Sequence, residues 1–256
     1  MQEKLYIFSK DIDPDFPYDE AVSVTLKELR TNAAEYSGKR VSVEGTVVYN
    51  SNYTAFIQDY DAETGVYYGM QVFYGYVSAL HSVLAQGNKV RVVGVLQDYN
   101  GTWQITDLKY NAMKPKDPAN TAVISKGEEL PNNEISIETF YSNVTVSVGE
   151  EDKTFKYHTI ALSTLVTMKN LKVVDIYTTK TGNSAGAMTL TCQLNGYEID
   201  IRTEVLKDAD GNIVTDQYFR GATIDVTGLI EYFDLNNTGN GSFQIKAYIL
   251  EDIVVH

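Results

Sequence analysis

Three histidines, one cysteine and a scatter of carboxylates are the groups in this 256-residue chain whose chemistry could go beyond contact. His81, His158 and His256 stand far apart, and none has a His or Cys at ligand spacing. A histidine acid–base or metal role needs such a companion, so structural or surface roles are expected for all three. Cys192 is alone, which excludes an internal disulfide and any cysteine-based zinc site. The chain has no glycine-rich phosphate loop, no Gly-x-Ser-x-Gly elbow and no His-Glu-x-x-His helix. Carboxylates alone could divide acid and base roles if a cleft desolvated them, and Asp59 with Asp61, or Asp200, are the candidates. Asp59 and Asp61 border a turn, where solvent would keep both ionised. Asp208, Asp210 and Asn212 around Gly211 offer oxygens to a hard cation such as calcium. The EF-hand pattern also requires a bidentate Glu at the twelfth position, and Phe219 stands there, so a glycine-containing hairpin turn is the better reading. Asp11, Asp13 and Asp15 alternate without a glycine turn and read as a solvated arm. The expectation is a protein with no catalytic residue, no cofactor and no metal.

Contact chemistry is better represented. The chain holds 19 Tyr and 9 Phe, and planar rings stack on bases and sugars alike. If Ile57 and Val72 point inward, strand alternation turns Phe56, Gln58, Tyr60, Gln71 and Phe73 outward, with Tyr53 and Tyr99 flanking them in loops. Some of these rings could instead cover a second face of their own domain. Lys39, Arg40, Lys89 and Arg91 are the cations that could meet phosphates if the ligand were single-stranded nucleic acid. Trp103 shares the parity of Ile105 and is matched by Phe243 further on, which points to the core.

The elements that must carry these residues are written twice. Val90-Arg91-Val92-Val93-Gly94-Val95-Leu96 and Ile224-Asp225-Val226-Thr227-Gly228-Leu229-Ile230 are two copies of a glycine-centred strand. Each is followed by a turn and an aromatic-Gln-Ile step, Trp103-Gln104-Ile105 and Phe243-Gln244-Ile245. Long-period repetition implies two similar domains. In the first, Thr25 caps a short helix with Glu28 three positions on and Leu26 and Leu29 facing inward. Period-two alternation follows from Arg40 to Val48, then strands at 55–59 and 70–74 around the turn Asp61–Gly65. A helical pattern runs over 77–86, and a hairpin closes over Asn100-Gly101, a strong turn signal. Three strands, a helix and two strands are the order of a five-stranded Greek-key barrel of the oligonucleotide/oligosaccharide-binding (OB) type. Gly45 and Gly94, inside strands, suit the sharp coiling that closes a small barrel. The second copy has a short helix near 135–141, strands at 171–177, 188–194 and 197–202, a turn at 208–212 in place of the helix, and a longer final hairpin loop. Residues 144–164 are a partly apolar insertion with no assignment.

Residues 39–106 resemble the bacterial OB-fold domains found in exported nucleases and in cell-surface proteins. The resemblance rests on Gly38-Lys39-Arg40-Val41-Ser42-Val43-Glu44-Gly45-Thr46-Val47-Val48, Phe56-Ile57-Gln58-Asp59, Gly69-Met70-Gln71-Val72-Phe73 and Gly87-Asn88-Lys89-Val90-Arg91-Val92-Val93-Gly94. It implies an accessory module, since the nuclease chemistry of such relatives belongs to a separate domain. The fold expected is all-β, two tandem OB-type barrels with short helices: an arm over 1–23, a first domain over 24–112, a linker over 113–134 and a second domain over 135–256.

Net charge is −13, and it is unevenly spread. Residues 24–115 balance 8 acidic against 8 basic residues, whereas 127–256 carry 19 acidic against 9 basic. A polyanion ligand therefore suits the first domain only. The chain shows neither a signal peptide nor an apolar run of about 20 residues. The functional expectation is a non-catalytic binding or scaffolding module of an exported bacterial protein, extracellular or at the cell surface (the cytoplasm being the alternative compartment), with a protein or glycan partner. Weak single-stranded nucleic-acid binding by the first domain, as accessory to a nuclease, is the alternative.

Overall fold

The structure is a computed structural model, and it describes residues 21–234 and 238–256. The acidic arm with Asp11, Asp13 and Asp15 lies outside the described residues. The chain divides into two units, 1–130 and 131–256. The first contains β1 (Val22–Ser23), α1 (Leu26–Thr31), α2 (Ala33–Tyr36), β2 (Arg40–Asn50), β3 (Thr54–Asp61), β4 (Val66–Phe73), α3 (Ser78–Val83), β5 (Lys89–Tyr99), β6 (Thr102–Thr106) and β7 (Ala122–Ser125). The second contains α4 (Ile137–Tyr141), β8 (Asn143–Val148), β9 (Glu151–Lys156), α5 (Tyr157–Ile160), β10 (Leu165–Thr178), β11 (Met188–Leu194), β12 (Tyr197–Thr203), β13 (Thr223–Phe233), β14 (Ser242–Ala247) and β15 (Ile253–Val255).

In the first unit β2, β3, β4, β6 and β5 pair in that order, and β2 also pairs with β5, which closes a five-stranded barrel. The β4–β6 pairing is parallel and the other barrel pairings are antiparallel. The second unit repeats this with β10, β11, β12, β14 and β13, closed by β10–β13 and again parallel at β12–β14. Both are OB-type barrels.

The repeated glycines sit where two strands approach too closely for a side chain. A Cβ on Gly94 would fall 2.5 Å from the Thr106 carbonyl oxygen, and one on Gly228 would fall 2.4 Å from that of Lys246. Inward residues fill each barrel: Val41, Ile57, Met70, Val92 and Ile105 in the first, Val166, Leu190, Ile201, Ile230 and Ile245 in the second, all buried. The Asn100-Gly101 turn has φ of 54° and 80°, the left-handed pair a two-residue hairpin demands.

A capped helix precedes each barrel and drives two apolar side chains into it. Thr25 accepts the Glu28 amide at 3.1 Å while Glu28 accepts the Thr25 amide at 2.7 Å, and Leu26 and Leu29 are buried. Ser136 accepts the Thr139 amide at 3.1 Å, and Ile137 and Phe140 are buried. The insertion at 144–164 forms the hairpin β8–β9 followed by α5, which buries Val146, Tyr157 and Ile160.

The segment that composition marks as a linker carries structure over much of its length. Thr121 bonds the Val93 amide with its hydroxyl, and Ala122–Ser125 pairs with β5. Asn120 is buried; its amide group donates to the Asn111 and Lys114 carbonyls at 2.9 and 2.8 Å and accepts the Asn111 N–H at 2.7 Å. Residues 111–125 thus belong to the first unit. Their polar composition reads as linker because the bonds they make are to backbone.

Candidate binding face

The outer surface of β3 and β4 has aromatic rings at both ends and the half-buried Gln71 amide between. At the loop after β2, Tyr53 and Tyr76 meet edge to face at 4.6 Å, beside exposed Phe73. At the β3–β4 turn, Tyr60 and Tyr67 face each other across the ladder with centroids 4.9 Å apart. Tyr67 and Phe73 are six positions apart on β4, a span of about 20 Å at roughly 3.3 Å per residue. Gln71 lies between and donates to Gln104 at 3.1 Å, which in turn pairs with Gln97 on β5. The repeated Gln of the aromatic-Gln-Ile step is therefore buried polar structure joining strands.

The predicted residues divide. Tyr53, Tyr60, Phe73 and Tyr99 are exposed and Gln71 is half-buried. Phe56 and Gln58 are outward by parity, as alternation required, but they are buried, at 6% and 2% exposure. They cannot offer themselves to a ligand. A bulge in β2 between Val47 and Tyr49 sets Tyr49 opposite Phe56, with rings 6.3 Å apart, and Gln58 is flanked on the ladder by Thr46 and Gly69. Tyr67 and Tyr76 belong to the face and were missed. Tyr67 shares the parity of Gln71 and Phe73 and was legible; Tyr76 follows the strand, where alternation has ended.

The four cations do not gather on this face. Arg40 and Arg91 lie on β2 and β5, on the opposite side of the barrel. Arg40 is buried, and Arg91 donates to the backbone carbonyls of Asp117 and Asn120 at 2.8 and 3.1 Å. Lys39 sits 5.9 Å over the Tyr36 ring and Lys89 pairs with Thr46, both away from β4. Beside the Tyr60 end, Arg30 donates to the Gly69 carbonyl of β4, and Lys27 is already held by Asp61 at 3.3 Å and Glu63 at 2.6 Å. Those bonds, with amide and hydroxyl donation from Thr64, outweigh desolvation and hold Asp61 below its ordinary range. The rim is acidic and its cation is spent. A buried bond network fixes the loop that carries Tyr53: the Tyr74 hydroxyl lies 2.5 Å from Asn50 Oδ1, 2.6 Å from the Ser51 carbonyl and 3.0 Å from His81 Nδ1.

The second barrel presents a different surface. Arg202 donates to the hydroxyls of Thr189 and Thr179, Lys246 pairs with Glu204 at 2.8 Å, and Asp200 accepts from Thr191 at 2.8 Å. Burial raises the Glu231 carboxyl above its ordinary range although Tyr248 donates to it at 2.8 Å. Phe243 packs on His158 at 4.1 Å and on Tyr232, half-buried like Trp103, so this repeated aromatic lies at a barrel margin and not in the core. Burial, with Lys156 nearby, pulls His158 down to about 4.

The remaining chemical candidates are tied up in local structure or solvated. Asp208 accepts the amides of Asp210 and Asn212 and the Asn212 side chain, closing the turn that bridges Lys207 to Ile213. Among the described residues no group of three or more His, Cys, Asp or Glu is placed to hold a metal ion. Asp59 is exposed. No helix among the described residues is long and apolar enough to cross a membrane. The first unit also has a cleft of about 660 Å³ on its β2–β5 side, lined by Ser23, Ser42, Glu44, Asp59, Arg91 and Asp117 among others. Part of it belongs to the segment read as linker, which hid it from the sequence.

No family model matches the sequence, and no curated protein matches it. Among solved structures the chain is similar to a murine DNA-binding protein bound to double-stranded DNA, with TM-score 0.36, 8% identity, and 80% of this chain and 90% of that one covered. It is also similar to the p204 HINb domain, with TM-score 0.34, 10% identity and coverages of 83% and 94%. A third is the Ifi202 HINa domain in complex with 20bp dsDNA, with TM-score 0.29, 10% identity and coverages of 86% and 96%. Likeness this distant carries no functional argument; the OB-type assignment of each unit rests on its strand order and closure.

Proposed function

We propose that this chain is a non-catalytic binding module of an exported bacterial protein, and that its first barrel seats a glycan along β3 and β4. One observation carries the reading: two aromatic stations about 20 Å apart, with the half-buried Gln71 amide between them and, among the described residues, Lys27 already bonded to Asp61 and Glu63 and Arg30 to the Gly69 carbonyl. Aromatic faces stack on the apolar faces of sugar rings, and amides and carboxylates bond their hydroxyls. Phosphodiesters would meet the acidic rim of Asp61 and Glu63 unneutralised. Export is supported by the resemblance of residues 39–106 and by an acidic composition rich in Tyr, Asn and Thr.

The test is calorimetric titration of the full chain with neutral oligosaccharides, beside an extended peptide and a single-stranded oligonucleotide at low salt. Glycan binding that falls about tenfold or more in both Phe73→Ala and Tyr60→Ala supports the reading. Peptide binding with the same mutational footprint makes the partner a protein. Oligonucleotide binding with a steep salt dependence would overturn the glycan assignment and restore nucleic acid. Hydrolysis of any of these ligands by the pure protein would end the non-catalytic claim.

A further inference from the structure

The cleft on the β2–β5 side lies away from Phe73 and meets the aromatic face only at Asp59, next to Tyr60, and its walls carry opposite charge. Glu44 and Arg91 are cross-strand neighbours in the antiparallel ladder, a placement that ordinarily yields an ion pair. Here the Arg91 guanidinium turns to the carbonyls of Asp117 and Asn120, and no ion pair joins it to Glu44 among the described residues. Those two bonds use Nε and one Nη2 hydrogen, which leaves Nη1 and the other Nη2 hydrogen for a ligand. The carboxylates of Glu44 and Asp59 and the hydroxyls of Ser23 and Ser42 also make no hydrogen bond among the described residues. Asp117 is committed, since it accepts the Ala119 amide at 2.9 Å. Val24, Leu26 and Pro118 supply an apolar margin. At about 660 Å³ the volume is that of a small-molecule site.

We propose that this cleft binds a basic amino acid or an equally compact molecule with one carboxylate and two ammonium-type groups. The α-carboxylate lies against the free edge of Arg91, where a planar guanidinium offers paired donors. The two cationic groups meet Glu44 and Asp59, and the serine hydroxyls bond the remaining polar atoms. Three carboxylates against one guanidinium make the cleft acidic, so a ligand of net positive charge is favoured over a neutral or acidic amino acid.

The experiment titrates the full chain with lysine and arginine, and in parallel with lysinamide, putrescine, alanine and glutamate, followed by calorimetry and ligand-observed NMR. Glu44→Gln and Asp59→Asn are the variants, because both residues are exposed and their side chains make no hydrogen bond or ion pair among the described residues; Arg91 is left intact since it holds the 117–120 loop. The proposal expects lysine or arginine to bind, with affinity lost about tenfold or more in each variant, in lysinamide and in alanine, and unchanged in Phe73→Ala. Absence of any signal for lysine and arginine at millimolar concentration overturns it. So does equal binding of putrescine, which would remove the carboxylate from the recognition, or indifference to both variants.

Discussion

Burial pushes the Cys192 thiol up to about 12, so it stays protonated and enclosed in the second barrel at neutral pH. A thiol-specific reagent should label it only as fast as the barrel opens, so labelling and loss of circular dichroism in denaturant should coincide. Rapid labelling of the native protein would contradict that enclosure. Phe56 and Tyr60 lie four residues apart on one face of β3, yet their roles separate. Phe56→Ala should destabilise the first unit by about 3 kcal/mol, because it empties a buried site against Tyr49. Tyr60→Ala, at an exposed position, should change stability by about 1 kcal/mol or less and act on ligand affinity instead. Gly94→Ala should cost at least about 2 kcal/mol, since the atoms its Cβ would meet include backbone, which cannot rotate away. Equilibrium unfolding in urea distinguishes these cases. Alternation assigned Phe56 to the outer face correctly and said nothing of what covers it, because the bulge opposite is a property of the partner strand.

The hairpin β8–β9 with α5 is the element by which the two copies differ most. It enters the second unit between the capped helix and the barrel, and brings His158 against Phe243, Phe140 and Tyr141. The ring's folded pKa of about 4 lies below the ordinary 6.5. The unfolded chain therefore takes up the proton first. Stability should fall as pH drops from about 6.5 to about 4 and level off below, by on the order of 1 to 2 kcal/mol once the half-exposure of the ring is allowed for. His158→Phe keeps the packing and removes the titration, so that slope should flatten in the variant; an unchanged slope would assign the effect to other groups. The helix-cap patterns were legible because a cap is a local device, Thr25 with Glu28 and Ser136 with its neighbours. The insertion was not, since two short strands that pair only with each other leave little periodicity to read.

At the scale of the molecule, 1–130 and 131–256 each contain a closed barrel with its own capped helix. Separately expressed, each should fold cooperatively. A first fragment ended at 112 loses β7, Asn120 and the partners of Arg91, and should unfold at markedly lower urea or not fold; a fragment 21–112 as stable as 21–130 would show these contacts to be dispensable. The two outer faces differ in chemistry, rings and amides in the first, paired charges and threonines in the second. We therefore expect the barrels not to share a ligand, with 131–256 silent towards whatever the first barrel binds; similar affinity of both fragments for one ligand would refute this.

The sequence by itself determined the repeat, the all-β class, the strand order of the first barrel and the glycine corners. These depend on period-two alternation, on a two-residue turn and on a Cβ that no strand crossing could admit, all written in consecutive residues. Only the tertiary structure decided which outward rings remain open. It also showed that Arg40 and Arg91 face away from the aromatics and that residues 117–119, within the segment read as linker, line one wall of a cleft. Exposure, charge pairing and concavity are set by what the rest of the chain brings alongside a residue, and no local pattern encodes that.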